Sequence, residues 1–335
     1  MRRRILALAL TGLVLYGVGP AVVDVLGGWR DLDRLTPGWW IAVIVTQVAG
    51  WGCLWAVQRL ALHGPDWFSV VASQLASGAI GRVVPGGAAA AAALQYRMLG
   101  QAGLQRATVA TGLTAGSLLL LGALAALPLL AVPAFVAGRK IPDGLLEAGG
   151  LALVIFGFLF ALGAVLMISD RAILWLGGAA ATVLRRVRRK RPPPARLPER
   201  LRDERDMVRR TLGRHWPAAL AAAEGRWLLD FLTLLAALEA VDARPRLTLA
   251  LLAYCAAQLL AQVPITPGGL GIVEAGMTGT LALAGVPAGA AAVAVLAYRL
   301  ASYWLPLPAG AIAWLVHRRR FGTDEELVPQ AEVAT

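Results

Sequence analysis

A series of apolar stretches, each long enough to cross a lipid bilayer, restricts the fold more than anything else in the sequence. A membrane helix needs about 20 mostly apolar residues. Hydrophobic residues make up 58% of the chain and charged residues 16%, whereas soluble domains are about 25% charged. So much apolar surface cannot be buried inside a water-soluble fold. The sequence therefore predicts an all-α polytopic membrane protein, and six stretches are interpreted as full spans: 5–26, 39–62, 108–137, 145–168, 216–241 and 288–316.

The first apolar stretch and a shorter one later in the chain each allow another interpretation. Residues 5–26 follow a run of arginines, as in a secretory signal peptide. The stretch is long and lacks a clear small-x-small cleavage site, which favours an uncleaved first span. Residues 171–184 are apolar but too short to span, so we expect an interfacial helix there.

Two further apolar stretches are interrupted in the middle by the same tripeptide. Pro85-Gly86-Gly87 lies within residues 68–99, and Pro267-Gly268-Gly269 lies within residues 247–284. Proline lacks an amide hydrogen, and glycine permits backbone angles that other residues resist. Each segment is therefore predicted to be a re-entrant hairpin of two half-helices. Lipid cannot satisfy the broken backbone, so each break must be buried in protein or line a wet cavity.

The two interrupted segments occupy matching places in an internal repeat. Pro267 lies 182 positions after Pro85 (267 − 85), and the same offset relates Ala102-Gly103 to Ala284-Gly285. Span–hairpin–span units that start on opposite membrane faces form an inverted repeat, which is typical of transporters. We assign 1–335 to a single membrane domain, with a first repeat at 37–137 (hairpin 68–99), a connecting span at 138–170, a cytoplasmic basic loop with the interfacial helix at 171–215, a second repeat at 216–316 (hairpin 247–284) and a cytoplasmic tail at 317–335.

Positive charge is concentrated in three places along the chain, whose formal net charge is +12. The clusters are Arg2–Arg4, residues 185–210 and Arg318–Arg320. Cytoplasmic loops carry excess Lys and Arg, so all three are expected in the cytoplasm, together with both termini of a cytoplasmic (inner) membrane protein. The first hairpin then enters from the cytoplasm and the second from outside. We expect the 185–210 loop to contact anionic lipid, and no nucleic-acid-binding module is recognisable.

Several ionisable residues lie deep within the predicted membrane segments. Arg299 follows the start of its span by about 16 Å at 1.5 Å per residue, close to the middle of a ~30 Å hydrocarbon core. Charges at that depth are costly, usually paired and often functional. We expect Glu274 to pair with Arg299 and Arg82 to meet an anionic headgroup, although a purely structural ion pair fits the same residues. We expect Glu224 and Arg226 to lie near the cytoplasmic end, where snorkelling suffices, although a functional role for both stays open.

The half-helix after each break begins with unpaired amide groups and a partial positive charge, which suits a phosphate. No dinucleotide fingerprint, phosphate loop or metal-ligand spacing is present. We therefore expect no cofactor, no metal and no catalytic residue, and the chain is not predicted to be an enzyme. The candidate substrate-binding residues are the two breaks and the deep charges: Arg82, Pro85, Gly86, Gly87, Asp230, Pro267, Gly268, Gly269, Glu274 and Arg299.

The sequence around the second break resembles a known family. Residues 264–275 read Pro-Ile-Thr-Pro-Gly-Gly-Leu-Gly-Ile-Val-Glu-Ala, and Tyr298-Arg299 follow, with Pro306 and Gly310 beyond. This pattern is similar to the transmembrane region of lysylphosphatidylglycerol synthases, a flippase-like family with standalone members. The resemblance implies a multi-span inner-membrane protein that moves a lipid between leaflets.

The resemblance is specific over 264–310 and looser over 72–105. Glu274 and Arg299 match family positions. Related first repeats often carry an acidic residue soon after the break, whereas Ala88–Ala93 follow it here. In fused relatives a soluble domain attaches an amino acid to phosphatidylglycerol. Only the tail 317–335 follows the last predicted span, so we expect a standalone protein without synthase activity.

The leading hypothesis is a flippase or transporter for a phospholipid or polyprenyl lipid. The phosphate would meet Arg82 or Arg299, while Glu274 or Asp230 would pair with an arginine or receive a cationic headgroup. Access would alternate by rocking one repeat against the other. One alternative is a membrane-embedded transferase, or its accessory subunit, acting on a polyprenyl-phosphate-linked substrate. Such an enzyme would need an acidic dyad or metal ligands at a membrane edge. Another is a non-catalytic membrane scaffold.

Overall fold

The computed structural model describes residues 37–84, 87–131, 210–261 and 270–322, with scattered positions between 154 and 206. Within those ranges every regular element is helical, as the sequence predicted. The predicted first span, the connecting-span residues 138–153 and most of the basic loop lie outside the described residues. So do Pro85 and Gly86, the second break (262–269) and the tail beyond 322.

The helices alternate between long apolar helices and pairs of shorter ones. In the first half they are α1 (Pro37–Ala61), α2 (Trp67–Val83), α3 (Gly87–Gln101) and α4 (Arg106–Ala126), which continues as a 3₁₀ turn (Leu127–Ala131). In the second half they are α5 (Trp216–Ala240), α6 (Leu247–Ala261), α7 (Ile272–Leu283), α8 (Ala288–Arg299), a π-helical segment (Leu300–Trp304) and α9 (Pro306–Phe321).

Three of the described helical stretches are long and apolar enough to cross a membrane: Gly38–Ala61, Arg106–Ala131 and Ala288–Phe321. α5 has the required length but carries Glu224, Arg226 and Asp230 near its middle. Large apolar side chains elsewhere on these helices face outwards, for example Ile41, which is 66% exposed, and Ile312, which is 61% exposed. Such surfaces are expected of helices that contact lipid.

The short helices on either side of the first break pack closely against each other. A Cβ atom at Gly87, the first residue of α3, would overlap the carbonyl oxygen of Gly81 near the end of α2. Only glycine permits the two backbones to approach so closely. Gly87, which the sequence predicted to bind substrate, is buried in this contact. The close packing of α2 against α3 requires a residue without a side chain at this position.

α1 and α5 form an antiparallel pair at the centre of the described structure. Cys53 of α1 faces Gly225 of α5, where a Cβ atom would lie 3.1 Å from the Cys53 sulfur. Nearer the other end, the hydroxyls of Thr46 and Thr233 are 2.9 Å apart. Residue numbers therefore rise along α1 as they fall along α5. The largest hydrophobic core lies around α5, α6, α7 and α8.

α9 runs antiparallel to α2 and packs against it along its length. The rings of Phe68 and Phe321 are 6.3 Å apart at one end. Midway along, a Cβ atom at Gly310 would overlap the carbonyl oxygen of Leu75. A ring nitrogen of His317 lies 3.1 Å from the carbonyl oxygen of Met98, at the end of α3. The carboxyl ends of α3 and α9 and the amino end of α2 therefore share one end of the molecule.

Candidate functional site

Asp230, in the middle of α5, is the most enclosed charge in the described structure, with 1% of its surface exposed. The hydroxyls of Tyr254 on α6 and Tyr298 on α8 each donate to its Oδ2 atom at 2.7 Å. The amide nitrogen of Gln258 also donates to Oδ2, at 3.1 Å. Three donors from two neighbouring helices thus satisfy one carboxylate oxygen.

The other carboxylate oxygen of Asp230 is held by α1 and by α5 itself. Gln47 donates to Oδ1 at 3.2 Å, and Arg226, one turn earlier on α5, forms an ion pair with it at 2.7 Å. The Arg226 side chain is 15% exposed, so it turns towards Asp230 inside the protein instead of snorkelling, which the sequence had left open. Asp230 therefore joins four helices.

Glu274 and Arg299 form the ion pair that the sequence predicted. The Arg299 Nε atom donates to Glu274 Oε1 at 2.5 Å. Glu274 lies in the first turn of α7, and its Oε2 atom accepts the backbone amide of Gly271 at 2.7 Å. This carboxylate caps the amino end of α7 and also binds Arg299 of α8.

Arg82, in the last turn of α2, has backbone carbonyl oxygens as partners. Its NH1 atom donates to the carbonyl of Gly78 at 2.8 Å, and NH2 lies 3.5 Å from the carbonyl of Ser302. A Cβ atom at residue 78 would lie only 2.9 Å from NH1. The guanidinium therefore occupies space that is open because residue 78 is glycine. Within the described part of the chain, no carboxylate forms an ion pair with Arg82.

A π-helical segment links Arg299 to α9 and contacts the end of α2. The Tyr303 hydroxyl donates to the carbonyl oxygen of Arg82 at 3.0 Å. The Tyr303 ring faces the Arg299 guanidinium, whose central carbon lies 4.6 Å from the ring centroid. The Ser302 hydroxyl is buried and has no hydrogen-bond partner among the described residues. π-Helical turns occur frequently at functional sites.

The two ion pairs and Arg82 belong to one electrostatic cluster. Tyr303 contacts both Arg82 and Arg299, and Arg226, Arg299 and Asp230 lie within electrostatic range of Arg82. The cluster therefore brings together four of the sequence-predicted residues: Arg82, Asp230, Glu274 and Arg299. Pro85, Gly86, Pro267, Gly268 and Gly269 lie outside the described residues, and Gly87 contributes the close packing of the first hairpin.

Sequence reasoning missed the neutral residues that hold this cluster. Tyr254 and Gln258 lie one helical turn apart, as do Arg299 and Tyr303. Polar residues at that spacing in an apolar helix form one face, which was the available signal. Also missed was an amide cluster across α1, α2 and α3, in which Gln95 donates to Gln58 at 2.5 Å and to Gln74 at 2.6 Å.

Among the described residues, no three His, Cys, Asp or Glu side chains are grouped as metal ligands. Cys53 and Cys255 are both free thiols. What the described site offers is a set of guanidinium, carboxylate, amide and phenol groups between apolar helices. Such groups can bind a polar headgroup.

Apolar helices and a buried charge cluster define the class: this is a helical membrane protein with a polar site enclosed among its helices. Residues 4–310 match the family described as the lysylphosphatidylglycerol synthase TM region. The chain belongs to this family, so the resemblance seen around the second break is confirmed, and membership relates the protein to lipid handling. A comparison with curated proteins gave no match.

Proposed function

We propose that this protein moves a lipid between the leaflets of the cytoplasmic membrane and binds the lipid phosphate at Arg82. The observation that carries the proposal is the position of Arg82: it ends a half-helix inside an apolar segment and has only carbonyl partners among the described residues. A guanidinium there can bind a phosphate with paired hydrogen bonds. The acyl chains would remain in the bilayer while the headgroup crosses among the helices.

We propose further that the chain is an inverted repeat, which supports alternating access. α3 ends at Gln101 and α7 at Leu283, and α4 begins at Arg106 and α8 at Ala288. Each pair of positions differs by the 182 residues that separate Pro85 from Pro267. Hydropathy alone would not make the helix boundaries agree so closely.

The turns after α3 and α7 provide independent support for the repeat. Gly103 and Gly285 have φ angles of +88° and +93°. The amide of Leu104 donates to the carbonyl of Leu99 at 3.2 Å. In the same way, the amide of Val286 donates to the carbonyl of Leu281 at 3.1 Å. The same turn is therefore built at both positions, as a duplicated unit would require.

The distribution of charge supports the proposed orientation. The end of the molecule that carries the carboxyl ends of α3 and α9 is rich in arginine, whereas the end near residues 239–246 carries both signs. Basic ends face the cytoplasm, so both termini would lie there, and we propose that the 185–210 loop contacts anionic lipid. The described arginines at the proposed cytoplasmic end are Arg59, Arg97, Arg106, Arg214, Arg318, Arg319 and Arg320.

Leaflet exchange in liposomes tests the proposal. Purified protein should accelerate exchange of fluorescent phospholipids, and Arg82→Gln should remove most of the acceleration because the phosphate loses its cationic partner. Arg319→Gln is the matched control, since it removes the same charge from an exposed position outside the cluster. Equal exchange by wild type and Arg82→Gln would contradict the assignment of Arg82.

The same preparation separates the two alternatives. Turnover of a polyprenyl-phosphate-linked donor without leaflet exchange would support a transferase or its subunit. A fully folded protein with neither activity would support a scaffold, in which the ion pairs of Asp230 and Glu274 are structural.

A further inference from the structure

Among the described residues, the charges of the cluster do not cancel. Asp230 is paired with Arg226, and Glu274 with Arg299. Arg82 has no carboxylate partner in the described ranges, so the described part of the cluster carries one excess positive charge. The two breaks outside the described residues, 85–86 and 262–269, contain no ionisable residue in the sequence. They cannot supply a balancing carboxylate.

We infer that the site selects lipids whose headgroup carries a phosphodiester as its only charge. This inference rests on the proposed function and adds the substrate class. A single negative charge neutralises the excess positive charge. An ammonium on the same headgroup would instead lie among arginines. The carboxylates of Asp230 and Glu274 already pair with Arg226 and Arg299, so neither is free to bind the ammonium. Taking a like charge into a poorly solvated site is unfavourable.

The uncharged polar groups around Arg82 fit the rest of such a headgroup. The Ser302 hydroxyl is buried without a partner among the described residues. The Tyr303 hydroxyl donates to the Arg82 carbonyl, which leaves its oxygen free to accept a further hydrogen bond. Both groups can bind the hydroxyls of a glycerol or a sugar. The ligand class is therefore a hydroxyl-rich phosphodiester lipid without an amine.

Two lipid sources share this chemistry: phosphatidylglycerol and a polyprenyl-phosphate-linked sugar. The test uses liposomes with wild-type protein and compares acyl-labelled phosphatidylglycerol, phosphatidylethanolamine, lysylphosphatidylglycerol and a labelled polyprenyl-phosphate-linked sugar. We expect one or both phosphodiester lipids without an amine to exchange at least about tenfold faster than both amine-bearing lipids, because like-charge juxtaposition is strongly unfavourable. Faster exchange of the polyprenyl lipid alone supports the same chemistry and identifies its source.

Charge variants test the cause of the selectivity. Arg82→Glu should reverse the preference in favour of lysylphosphatidylglycerol, and Arg82→Gln should abolish the preference. Arg319→Glu, at an exposed site, should leave it unchanged. Thermal unfolding of each variant checks that it is folded. If Arg82→Glu does not fold, the loss of preference in Arg82→Gln provides the test.

Equal exchange of all four lipids by the wild type would overturn the inferred selectivity and leave the proposed transport intact. Faster exchange of the amine-bearing lipids would also overturn the selectivity. No exchange of any lipid by folded protein would overturn the proposed function itself.

Discussion

The hydroxyl of Tyr303 donates to the backbone carbonyl oxygen of Arg82 at 3.0 Å. This contact joins the π-helical segment 300–304 to the last turn of α2, just before the first break. Arg299, directly before the same segment, binds Glu274 at the start of α7. Arg299 and Tyr303 therefore connect the first turn of α7 with the last turn of α2, so we expect a displacement of one helix to affect the other.

Tyr303→Phe should weaken this connection while keeping the ring beneath Arg299. Loss of one hydrogen bond is expected to lower the free energy of unfolding by about 1 kcal/mol. We also expect slower leaflet exchange, because the last turn of α2 is less firmly held. Tyr96→Phe is the control, because the Tyr96 hydroxyl has no hydrogen bond to described residues. Identical unfolding and exchange in both variants would argue against the connection.

Asp230→Leu should be strongly destabilising because it leaves Arg226 enclosed without its partner. Removal of one member of a buried ion pair typically costs about 3–5 kcal/mol in the free energy of unfolding. The double variant Asp230→Leu/Arg226→Leu should recover a substantial part of that loss. Unfolding by denaturant in detergent micelles measures both. A double variant that is less stable than Asp230→Leu would show that Arg226 does not depend on this carboxylate.

A double-mutant cycle measures the coupling between Glu274 and Arg299. With Glu274→Gln, Arg299→Gln and the double variant, we expect a coupling energy within about 0.5–3 kcal/mol, as for directly contacting residues. The control pair is Glu239 and Arg244, whose side chains are 36% and 72% exposed. Such solvent-exposed pairs contribute about 0–1 kcal/mol. A smaller coupling for Glu274 and Arg299 than for the control pair would contradict the enclosed geometry.

Gly87→Ala should disrupt the first hairpin. The added Cβ atom would overlap the Gly81 carbonyl oxygen, which is backbone and cannot rotate away. Overpacking of this kind typically costs about 1–3 kcal/mol. Gly279→Ala on α7 is the control, since nothing lies within 4 Å of its added Cβ atom. Thermal unfolding of the two variants provides the comparison, and equal midpoints would rule out the tight backbone contact.

Asp66, in the turn between α1 and α2, is expected to make stability depend on acid pH. Its side chain accepts the Ser69 amide at 2.9 Å and caps α2. Partial burial raises the pKa of Asp66, but the amide and hydroxyl of Ser69 and the charge of Arg320 outweigh this effect, so its pKa lies below the ordinary value.

Because the folded pKa is depressed, the contribution of Asp66 is present above the unfolded pKa of about 3.9 and is lost as pH falls through the folded pKa. Wild type should therefore lose more stability below about pH 5 than Asp66→Asn, which retains a capping oxygen without the charge. Thermal unfolding in detergent at stepped pH tests this. Parallel pH profiles for the two proteins would contradict it.

Much of the architecture could be predicted from the sequence because it depends on local properties. Apolar stretches predict helices, and proline followed by paired glycines interrupts them, so α2 and α3 lie on either side of the first break. The pairing of Glu274 with Arg299 was also predictable, since both charges lie deep in neighbouring segments and each needs a partner. These conclusions required no knowledge of how the helices pack.

The partners of Asp230 could not be predicted, because they depend on how each helix is rotated about its axis. Tyr254 and Tyr298 lie 24 and 68 positions away in sequence, and hydropathy does not specify which faces of α6 and α8 meet α5. The π-helical segment was not predicted either, and Ser302 and Tyr303 within it contact Arg82 of α2. The sequence by itself therefore determined a membrane protein with interrupted helices and deep charges. Only tertiary packing decided which neutral donors surround Asp230 and that Arg82 has carbonyl partners among the described residues, because these contacts require groups from different helices to meet at hydrogen-bonding distance.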